Sequence, residues 1–294
     1  MHNLDRGCAE ADVISTMVEQ QFEPAVAQGL VDAFVHARKN GIDPPKESIQ
    51  IDTVPAKTAP QEYQYSQFHY PEYQYEVPRI KPGSTIYASD RNIPVLIRMK
   101  KPVLVVLGNV LSEAECDQLI ELARHRLKPS TVVDPLTGKN KIAEHRNSYG
   151  MFFDLEETPF IAKLDQRISE LMNCPIENGE GLQVLHYGPN AKNTPHYDFL
   201  VPSNNTNIAS LARSGQRVSS LVIYLNDVSA GGETIFPEIG LAVQPQKGNA
   251  VYFEYTNSLQ QLDHKSLHAG AEVTEGEKWV VTKWMREKPF IAAH

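Results

Sequence analysis

Three side chains in the second half of the chain could hold a transition-metal ion. His196 and Asp198 stand two residues apart, and His268 follows further along the sequence. Two imidazoles and one carboxylate form the ligand set that holds non-haem Fe(II) and leaves positions open for oxygen and a co-substrate. Residues i and i+2 of a β-strand point to the same side, so His196 and Asp198 are predicted to reach one ion from one strand while Tyr197 faces away.

The segments around these residues form an ordered set of motifs. Residues 180–188, which end in Tyr187-Gly188, precede His196, and residues 216–226 and 231–237 lie between the ligands. Lys278 and Trp284 follow His268. Together these motifs resemble the prolyl 4-hydroxylase family of 2-oxoglutarate- and Fe(II)-dependent dioxygenases, over about residues 102–288.

The resemblance implies a role for each matching position. The implied iron ligands are His196, Asp198 and His268. Lys278 would pair with the distal carboxylate of 2-oxoglutarate, a task that suits a compact ammonium on a flexible stem. Tyr187 and Thr234 would help to hold the co-substrate. Trp284 would line the pocket shared by co-substrate and substrate, and Arg217 would contact the substrate.

The resemblance also implies a reaction. 2-Oxoglutarate would chelate the iron, oxygen would bind, and decarboxylation would yield succinate, CO2 and a ferryl species that hydroxylates an unactivated C–H bond. The expected cofactors and co-substrates are therefore Fe(II), 2-oxoglutarate, O2 and ascorbate. The protein's own part would be to position, shield and tune the metal. The expected substrate is a proline or proline-like residue in a peptide or protein.

One position departs from the family pattern. The family usually has a tyrosine three residues before the first ligand, where this chain has Asn193. That tyrosine is associated with the bound proline, so Asn193 is a candidate substrate contact. Because the tyrosine is missing, an alternative function remains open, namely hydroxylation of a free or carrier-bound cyclic amino acid in a biosynthetic pathway. A non-catalytic module that senses 2-oxoglutarate and iron is a third interpretation, although it would not need the complete set of site residues.

Some of these residues also have simpler interpretations. His264 lies four residues before His268, and on a helix the two would share a face and suggest zinc. No glutamate follows His264 to complete that zinc motif, so His268 is favoured as the third ligand. Arg217 could instead be an ion-pair partner, and Trp284 could belong to the hydrophobic core.

Composition argues against several other kinds of partner. Hydrophobic residues make up 41% and charged residues 22% of the 294 residues, as in ordinary globular proteins. A net charge of −8 offers no basic surface for nucleic acid or an anionic membrane. The chain has no signal-peptide pattern, no apolar run near the ~20 residues of a membrane span, and three cysteines without paired spacing. A location in the reducing cytoplasm is predicted.

The chain divides into three predicted segments. Residues 1–45 show helical periodicity and are predicted to pack on the catalytic domain or to form a homodimer contact. Residues 46–92 are rich in proline and tyrosine and are interpreted as an extended strap or linker. Residues 93–294 carry the motifs and form the predicted dioxygenase domain.

Local patterns predict the elements of this last segment. They are a strand at 103–107, helices at 112–124 and 158–172, a polar loop at 204–215, and strands at about 182–187, 195–200, 217–225, 249–254, 265–271 and 278–286. Ser112 and Glu115 form a capping box that begins the first helix. Short strands separated by turns indicate an antiparallel double sheet. Together with the resemblance, this predicts a mainly β double-stranded β-helix, or jelly roll, buttressed by helices.

Overall fold

The computed structural model describes residues 13, 31, 72–133, 140–142 and 148–292. The chain forms two compact units, residues 1–68 and 69–294, and the following description concerns the second unit. Apart from Val13 and Val31, the predicted helical extension at 1–45 lies outside the described residues, and so does the first part of the strap, 46–71. Among the described residues, no helix is both long enough and apolar enough to span a membrane.

Short strands make up most of the second unit. They are β1 (Thr85–Ala88), β2 (Arg91–Lys100), β3 (Val103–Leu107), β4 (Lys128–Pro129), β5 (Thr131–Val133), β6 (Asn140–Ile142), β7 (Ser148–Phe153), β8 (Leu182–Tyr187), β9 (Asn193–His196), β10 (Arg217–Tyr224), β11 (Ala230–Gly231), β12 (Thr234–Phe236), β13 (Leu241–Val243), β14 (Ala250–Glu254), β15 (His268–Gly270), β16 (Val273–Glu275) and β17 (Lys278–Arg286). The helices are α1 (Glu113–Arg124), α2 (Pro159–Met172) and α3 (Asn205–Ser214), with 3-10 turns at Ile176–Asn178, Pro237–Ile239 and His264–Ser266.

The strands pair antiparallel to form two main sheets. The larger described sheet has nine strands in the order β1-β2-β3-β14-β10-β17-β8-β7-β4, and the smaller has the order β13-β12-β15-β9. In the smaller sheet β15 pairs with β12 and β9, both distant from it in sequence, as in a jelly roll, where the chain alternates between two facing sheets. The predicted mainly β jelly roll with buttressing helices is confirmed.

Local signals account for α1 and α2, the two helices predicted within the dioxygenase segment. In the capping box of α1, the Ser112 hydroxyl accepts a hydrogen bond from the Glu115 amide at 3.2 Å, and Glu115 Oε2 accepts one from the Ser112 amide at 2.9 Å. The N-cap of α2 is Thr158, whose hydroxyl accepts a hydrogen bond from the Ile161 amide at 3.2 Å. These caps satisfy backbone donors that have no partner within the first turn of a helix.

Strand β17 separates two hydrophobic cores. Val281 packs in the core between the large sheet and helices α1 and α2, whereas Val280 packs in the core between the two sheets. Because side chains alternate along a strand, Lys278 and Trp284 lie on the same side as Val280, within one cavity. The strand therefore presents Lys278 and Trp284 to the interior of the jelly roll and Val281 to the helices.

The predicted polar loop at 204–215 is wrong, because this segment forms helix α3. Asn204 caps the helix by accepting a hydrogen bond from the Asn207 amide at 2.9 Å. Gly215 ends it at φ +69°, with its amide donating to the Leu211 carbonyl at 2.9 Å. Ser214 is the helix's buried residue, so the segment lacks the apolar face that would distinguish a surface helix from a polar loop.

The end of the predicted strap is joined to the jelly roll. The predicted domain boundary at 92/93 falls inside β2, and Ile86 of β1 is 1% exposed in the core beneath α2. Asp90 accepts two hydrogen bonds from the buried Arg167 guanidinium, at 2.9 and 2.6 Å. Upstream, the amides of Arg79 and Ile80 donate to the buried carboxylate of Glu254.

Candidate metal and co-substrate site

Pairing between β9 and β15 brings the two predicted histidine ligands together. His196 and His268 are register partners in the smaller sheet, and their ring centroids lie 4.3 Å apart. The Nε2 atoms of His196 and His268 lie 3.7 and 3.6 Å from the Asp198 carboxylate oxygens. The possible ligand atoms of these three residues all lie within 4.8 Å of one another, close enough to hold one metal ion.

The predicted strand at 195–200 is wrong beyond its first residues. Strand β9 ends at His196, and Asp198 occupies a bend that follows it. The two ligands therefore do not share one face of a strand. Beyond the bend, the amide and carbonyl of Leu200 bond to the Gln216 side chain at 2.7 and 2.8 Å, which replaces strand pairing.

Backbone carbonyls fix the orientation of both imidazoles. His196 Nδ1 lies 2.9 Å from the Thr194 carbonyl oxygen, and His268 Nδ1 lies 3.0 Å from that of Ser266. A carbonyl oxygen only accepts hydrogen bonds, so each Nδ1 carries the hydrogen and each Nε2 has a lone pair available for a metal. The same arrangement on two strands indicates a site built for ligation.

Asp198 is held as a carboxylate. It is 5% exposed, and burial alone would raise its pKa. Electrostatic interactions with the two imidazoles and Arg217, together with a 2.5 Å hydrogen bond from Ser220, lower that pKa to about 2. The Ser220 hydroxyl also lies 3.0 Å from that of Tyr255, which extends the hydrogen-bond network behind the carboxylate.

Lys278 places a buried ammonium in the same cavity. The residue is 4% exposed, and its Nζ lies 5.7 and 5.6 Å from the ring centroids of Tyr187 and Tyr224. No carboxylate of the described residues forms a salt bridge with it. Burial lowers its pKa to about 8. A buried cation without a counter-ion is costly, so the cavity favours an anionic ligand.

Most of the other predicted site residues line this cavity. Its walls include Tyr187, Thr234, Asn193 and Trp284. The Thr234 hydroxyl accepts a 2.8 Å hydrogen bond from Tyr224 and thus keeps its own hydrogen for a ligand. The Trp284 indole N–H is buried without a hydrogen-bond partner among the described residues, so a bound molecule could satisfy it.

Arg217 does not line the cavity. Its guanidinium donates to both carboxylate oxygens of Glu180, at 2.6 and 2.8 Å, and lies 4.1 Å from the Trp284 ring centroid. Its Nη1 also donates to the backbone carbonyl of Asp198 at 3.2 Å. The structure therefore shows the ion pair of the alternative interpretation. The arginine also supports the segment that carries Asp198 through the bond to its backbone carbonyl.

His264 does not join the metal cluster. It begins a 3-10 turn, and its ring meets those of Tyr197 and Phe199 edge-on at 5.4 and 5.8 Å. The helix required for a zinc pair with His268 is absent here, because His268 lies on β15. The preference for His268 over His264 agrees with this geometry.

Comparison with known proteins agrees with the geometry. Residues 182–286 match the family model for the 2OG-Fe(II) oxygenase superfamily. Prolyl 4-hydroxylase 1 of Arabidopsis thaliana is 42% identical over 202 residues, which cover 64% of this chain and 70% of that protein. The chain belongs to the prolyl 4-hydroxylase family. It is an Fe(II)- and 2-oxoglutarate-dependent dioxygenase.

The dioxygenase has similar proteins in other kinds of organism. Prolyl 4-hydroxylase subunit alpha-1 of Rattus norvegicus is 35% identical over 188 residues, which cover 64% of this chain and 35% of that protein. Among solved structures, the viral collagen prolyl hydroxylase of Paramecium Bursaria Chlorella virus-1, as its 2OG complex, is 28% identical with a TM-score of 0.49. That match covers 62% of the dioxygenase and 95% of the viral chain.

The residues present in the dioxygenase fit the family's metal and co-substrate. Two oriented imidazoles and an ionised carboxylate match the ligand chemistry of Fe(II). The buried Lys278 ammonium fits a carboxylate of 2-oxoglutarate. Gly270 lies next to this ammonium, where a Cβ would be 4.0 Å from Lys278 Nζ. The absence of a side chain at this position leaves space for the co-substrate beside the lysine.

Sequence reasoning missed the residues that support this site. Ser220 donates to the Asp198 carboxylate and is itself bonded to the Tyr255 hydroxyl, and Tyr224 donates to the Thr234 hydroxyl. The available signal was a pair of serines, Ser219 and Ser220, within the otherwise apolar strand β10. A buried hydroxyl needs a partner, so a serine that faces the ligands is a candidate support for one of them.

Proposed function

We propose that this dioxygenase hydroxylates a proline residue in a peptide or protein. The observation that carries the proposal is one cavity that contains both the cluster of His196, Asp198 and His268 and the Lys278 ammonium, which has no salt-bridge partner in the described part of the chain. Relatives named as prolyl 4-hydroxylases, with up to 42% identity, support the choice of substrate.

Each residue then has a specific task. His196 and His268 would bind the iron through Nε2, and Asp198 would bind it through its carboxylate. Lys278 would pair with the distal carboxylate of 2-oxoglutarate, to which Thr234 can donate a hydrogen bond. When bound, iron and 2-oxoglutarate supply the oxidising power that places one atom of O2 on the substrate carbon and the other in succinate, with release of CO2.

The substrate would approach from the side of Asn193 and Trp284. Asn193 Nδ2 lies 3.5 Å from His196 Nε2, so its amide would stand next to the metal. Trp284 contributes an aromatic wall and an indole N–H to the same cavity. A proline ring would pack on the aromatic surface, while the amide would contact a polar group of the substrate backbone.

The direct test is succinate formation from 2-oxoglutarate with Fe(II), O2 and ascorbate, the last added as the reductant that maintains Fe(II). Proline-containing peptides would be compared with free proline and its ring homologues. Stimulation by peptides, with a mass increase of one oxygen atom on proline, supports the proposal. Stimulation by free amino acids alone overturns it in favour of small-molecule hydroxylation. Tight iron binding without any turnover would point to a sensing module.

The pKa of Lys278 predicts how co-substrate binding depends on pH. The ammonium of the free enzyme is protonated below its pKa of about 8 and loses its charge above it. The KM for 2-oxoglutarate should therefore be flat at lower pH and rise toward about tenfold per unit above pH 8. Binding of the dianion favours the protonated lysine, so saturating 2-oxoglutarate should shift the loss of activity to higher pH. A KM that stays constant to roughly pH 9.5 would contradict this prediction.

Gly270→Ala should obstruct the co-substrate without disturbing the fold. The new Cβ would lie 3.4 Å from Asn193 Cβ and 4.0 Å from Lys278 Nζ, which are ordinary contacts. One added methyl group in a ligand site typically costs about tenfold or more in affinity, so the KM for 2-oxoglutarate should rise by roughly that factor. Gly188→Ala is the matched control, because a Cβ at Gly188 meets nothing within 4 Å. Equal KM values in the two variants would place the co-substrate elsewhere.

A further inference from the structure

A second cavity adjoins the segment that carries Asp198. It has a volume of about 490 Å³ and is lined by Glu72, Tyr73 and Tyr75, from the strap, and by residues 260–265, which precede β15. The ring of His264 in its wall contacts Tyr197 and Phe199, the two neighbours of Asp198. A polypeptide whose reactive residue lies at the metal could therefore reach this cavity with a nearby side chain.

Hydrogen bonds fix the two walls to each other. The Gln74 amide donates to Gln261 Oε1 at 2.9 Å, and the Gln74 carbonyl accepts from Asn257 Nδ2 at 3.0 Å. Asn257 Nδ2 also donates to Gln261 Oε1 at 2.7 Å. The amides of Leu259 and Gln261 donate to Asn257 Oδ1, which shapes the loop. The cavity is thus built by specific contacts between two segments.

The floor of the cavity carries an incompletely satisfied carboxyl group. Asp263 is 2% exposed, and its Oδ1 accepts a hydrogen bond from the Lys265 amide at 3.0 Å. Its Oδ2 is buried, and no donor of the described residues lies within normal hydrogen-bond distance of it, although the Tyr75 phenol is close enough for a weak hydrogen bond with the carboxyl group. Burial raises the pKa of the Tyr75 phenol, and the neighbouring Asp263 raises it further; burial also raises the pKa of Asp263 itself. A buried carboxyl oxygen in this state calls for a donor or a cation.

Aromatic rings make the same cavity favourable for a cation. Tyr73 and Tyr75 meet edge to face, with ring centroids 4.9 Å apart. Lys101 Nζ lies 5.6 Å from the Tyr75 ring centroid, so this ring already attracts a cation of the chain. Of the other charged groups in the wall, Glu72 is acidic, while the basic His264 and Lys265 are exposed to solvent.

We propose that this cavity binds an arginine or lysine side chain of the polypeptide substrate, a few residues from the hydroxylated proline. The carboxyl group of Asp263 would accept the charged hydrogen bond, and the tyrosine rings would cover the aliphatic stem and the cation. The inference rests on the proposed function and adds a second point of recognition to it.

The test measures peptide binding directly. Fluorescein-labelled peptides would carry one proline and either arginine or its neutral isostere citrulline at one to six residues on each side. Their affinity for the full chain would be measured by fluorescence anisotropy. At the best spacing, arginine should bind about tenfold more tightly than citrulline, as expected for a charge-assisted hydrogen bond. Equal affinity of the two peptides at every spacing would overturn the inference.

Substitutions assign the preference to the cavity. Asp263→Asn keeps an oxygen for the Lys265 amide, so the loop should remain capped while the arginine preference disappears. Tyr73→Leu keeps apolar bulk without an aromatic face and leaves the Tyr75 phenol beside Asp263. It should weaken binding of the arginine peptide and leave that of the citrulline peptide unchanged, which provides a second test if Asp263→Asn does not fold. Glu121→Gln removes one exposed carboxylate from α1 and should leave the preference unchanged. A preference that survives both cavity substitutions would contradict the assignment.

Parallel turnover measurements separate this inference from the proposed function. Hydroxylation of arginine and citrulline peptides with the same KM would overturn the cavity's role and leave the prolyl hydroxylase activity standing. Selective binding of arginine peptides without hydroxylation of any peptide would support the cavity and count against the proposed reaction.

Discussion

Replacement of His268 by alanine should produce a folded protein that no longer retains Fe(II) and forms succinate only at the uncatalysed background rate. The imidazole is 5% exposed, and its Nε2 lies 3.6 Å from the Asp198 carboxylate. Its loss would leave one imidazole and one carboxylate, too few ligands for a stable facial site. Iron retained after gel filtration, measured by mass spectrometry, is the primary readout, with circular dichroism as the check on folding.

The matched control is His264→Ala. His264 lies four residues before His268 and contacts Tyr197, but it is exposed and outside the metal cluster. This variant should retain iron and turn over 2-oxoglutarate like the parent protein. The opposite pattern, with iron lost on replacing His264 and kept on replacing His268, would show that the third ligand is misassigned.

Lys278→Met should raise the 2-oxoglutarate requirement roughly 100-fold or more. Removing one partner of a buried ion pair costs about 3–5 kcal/mol. In this variant the cost would be a loss of binding free energy for 2-oxoglutarate, whose carboxylate would have no cation to pair with. The free protein should be at least as stable as the parent, since its buried ammonium has no ion-pair partner among the described residues. Calorimetric titration with 2-oxoglutarate and a thermal melt would measure the two effects.

Lys283→Met tests the other lysine of the same strand. Lys283 is 1% exposed on the helix side of β17 and donates to Asp165 of α2 at 2.8 Å. Its loss would leave the buried Asp165 carboxylate without its ion-pair partner, so the free energy of unfolding should fall by about 3–5 kcal/mol while the affinity for 2-oxoglutarate stays constant. The assignment would fail if replacing Lys283, rather than Lys278, raised the co-substrate requirement in folded protein.

Elements with strong local signals were predictable from the sequence. The capping box at Ser112 and the apolar periodicity that follows it define α1, and the apolar run at 103–107 corresponds to β3. The roles of Lys278 and Trp284 were implied by the family resemblance, and alternation along β17 explains why both side chains face the cavity. In these segments the local preference and the tertiary fold agree.

Other parts of the site depend on contacts between residues far apart in sequence. Nothing near Asp198 indicates that β9 ends at His196, because the bend is held by the side chain of Gln216. The choice between substrate contact and ion pair for Arg217 depends likewise on Glu180, 37 residues away. Patterns along the chain predict which residues face inward, but not which distant partner each one meets.

The contacts made by residues 79–90 bear on how a shortened version of the protein should be produced. A polypeptide that begins at residue 93 would lose Ile86 from the core, Asp90 from the Arg167 guanidinium and both backbone donors to Glu254. It would also expose the start of β2, a free strand edge that recruits other chains and promotes insoluble expression. A polypeptide that begins at residue 69 keeps all of these contacts and is the one to express.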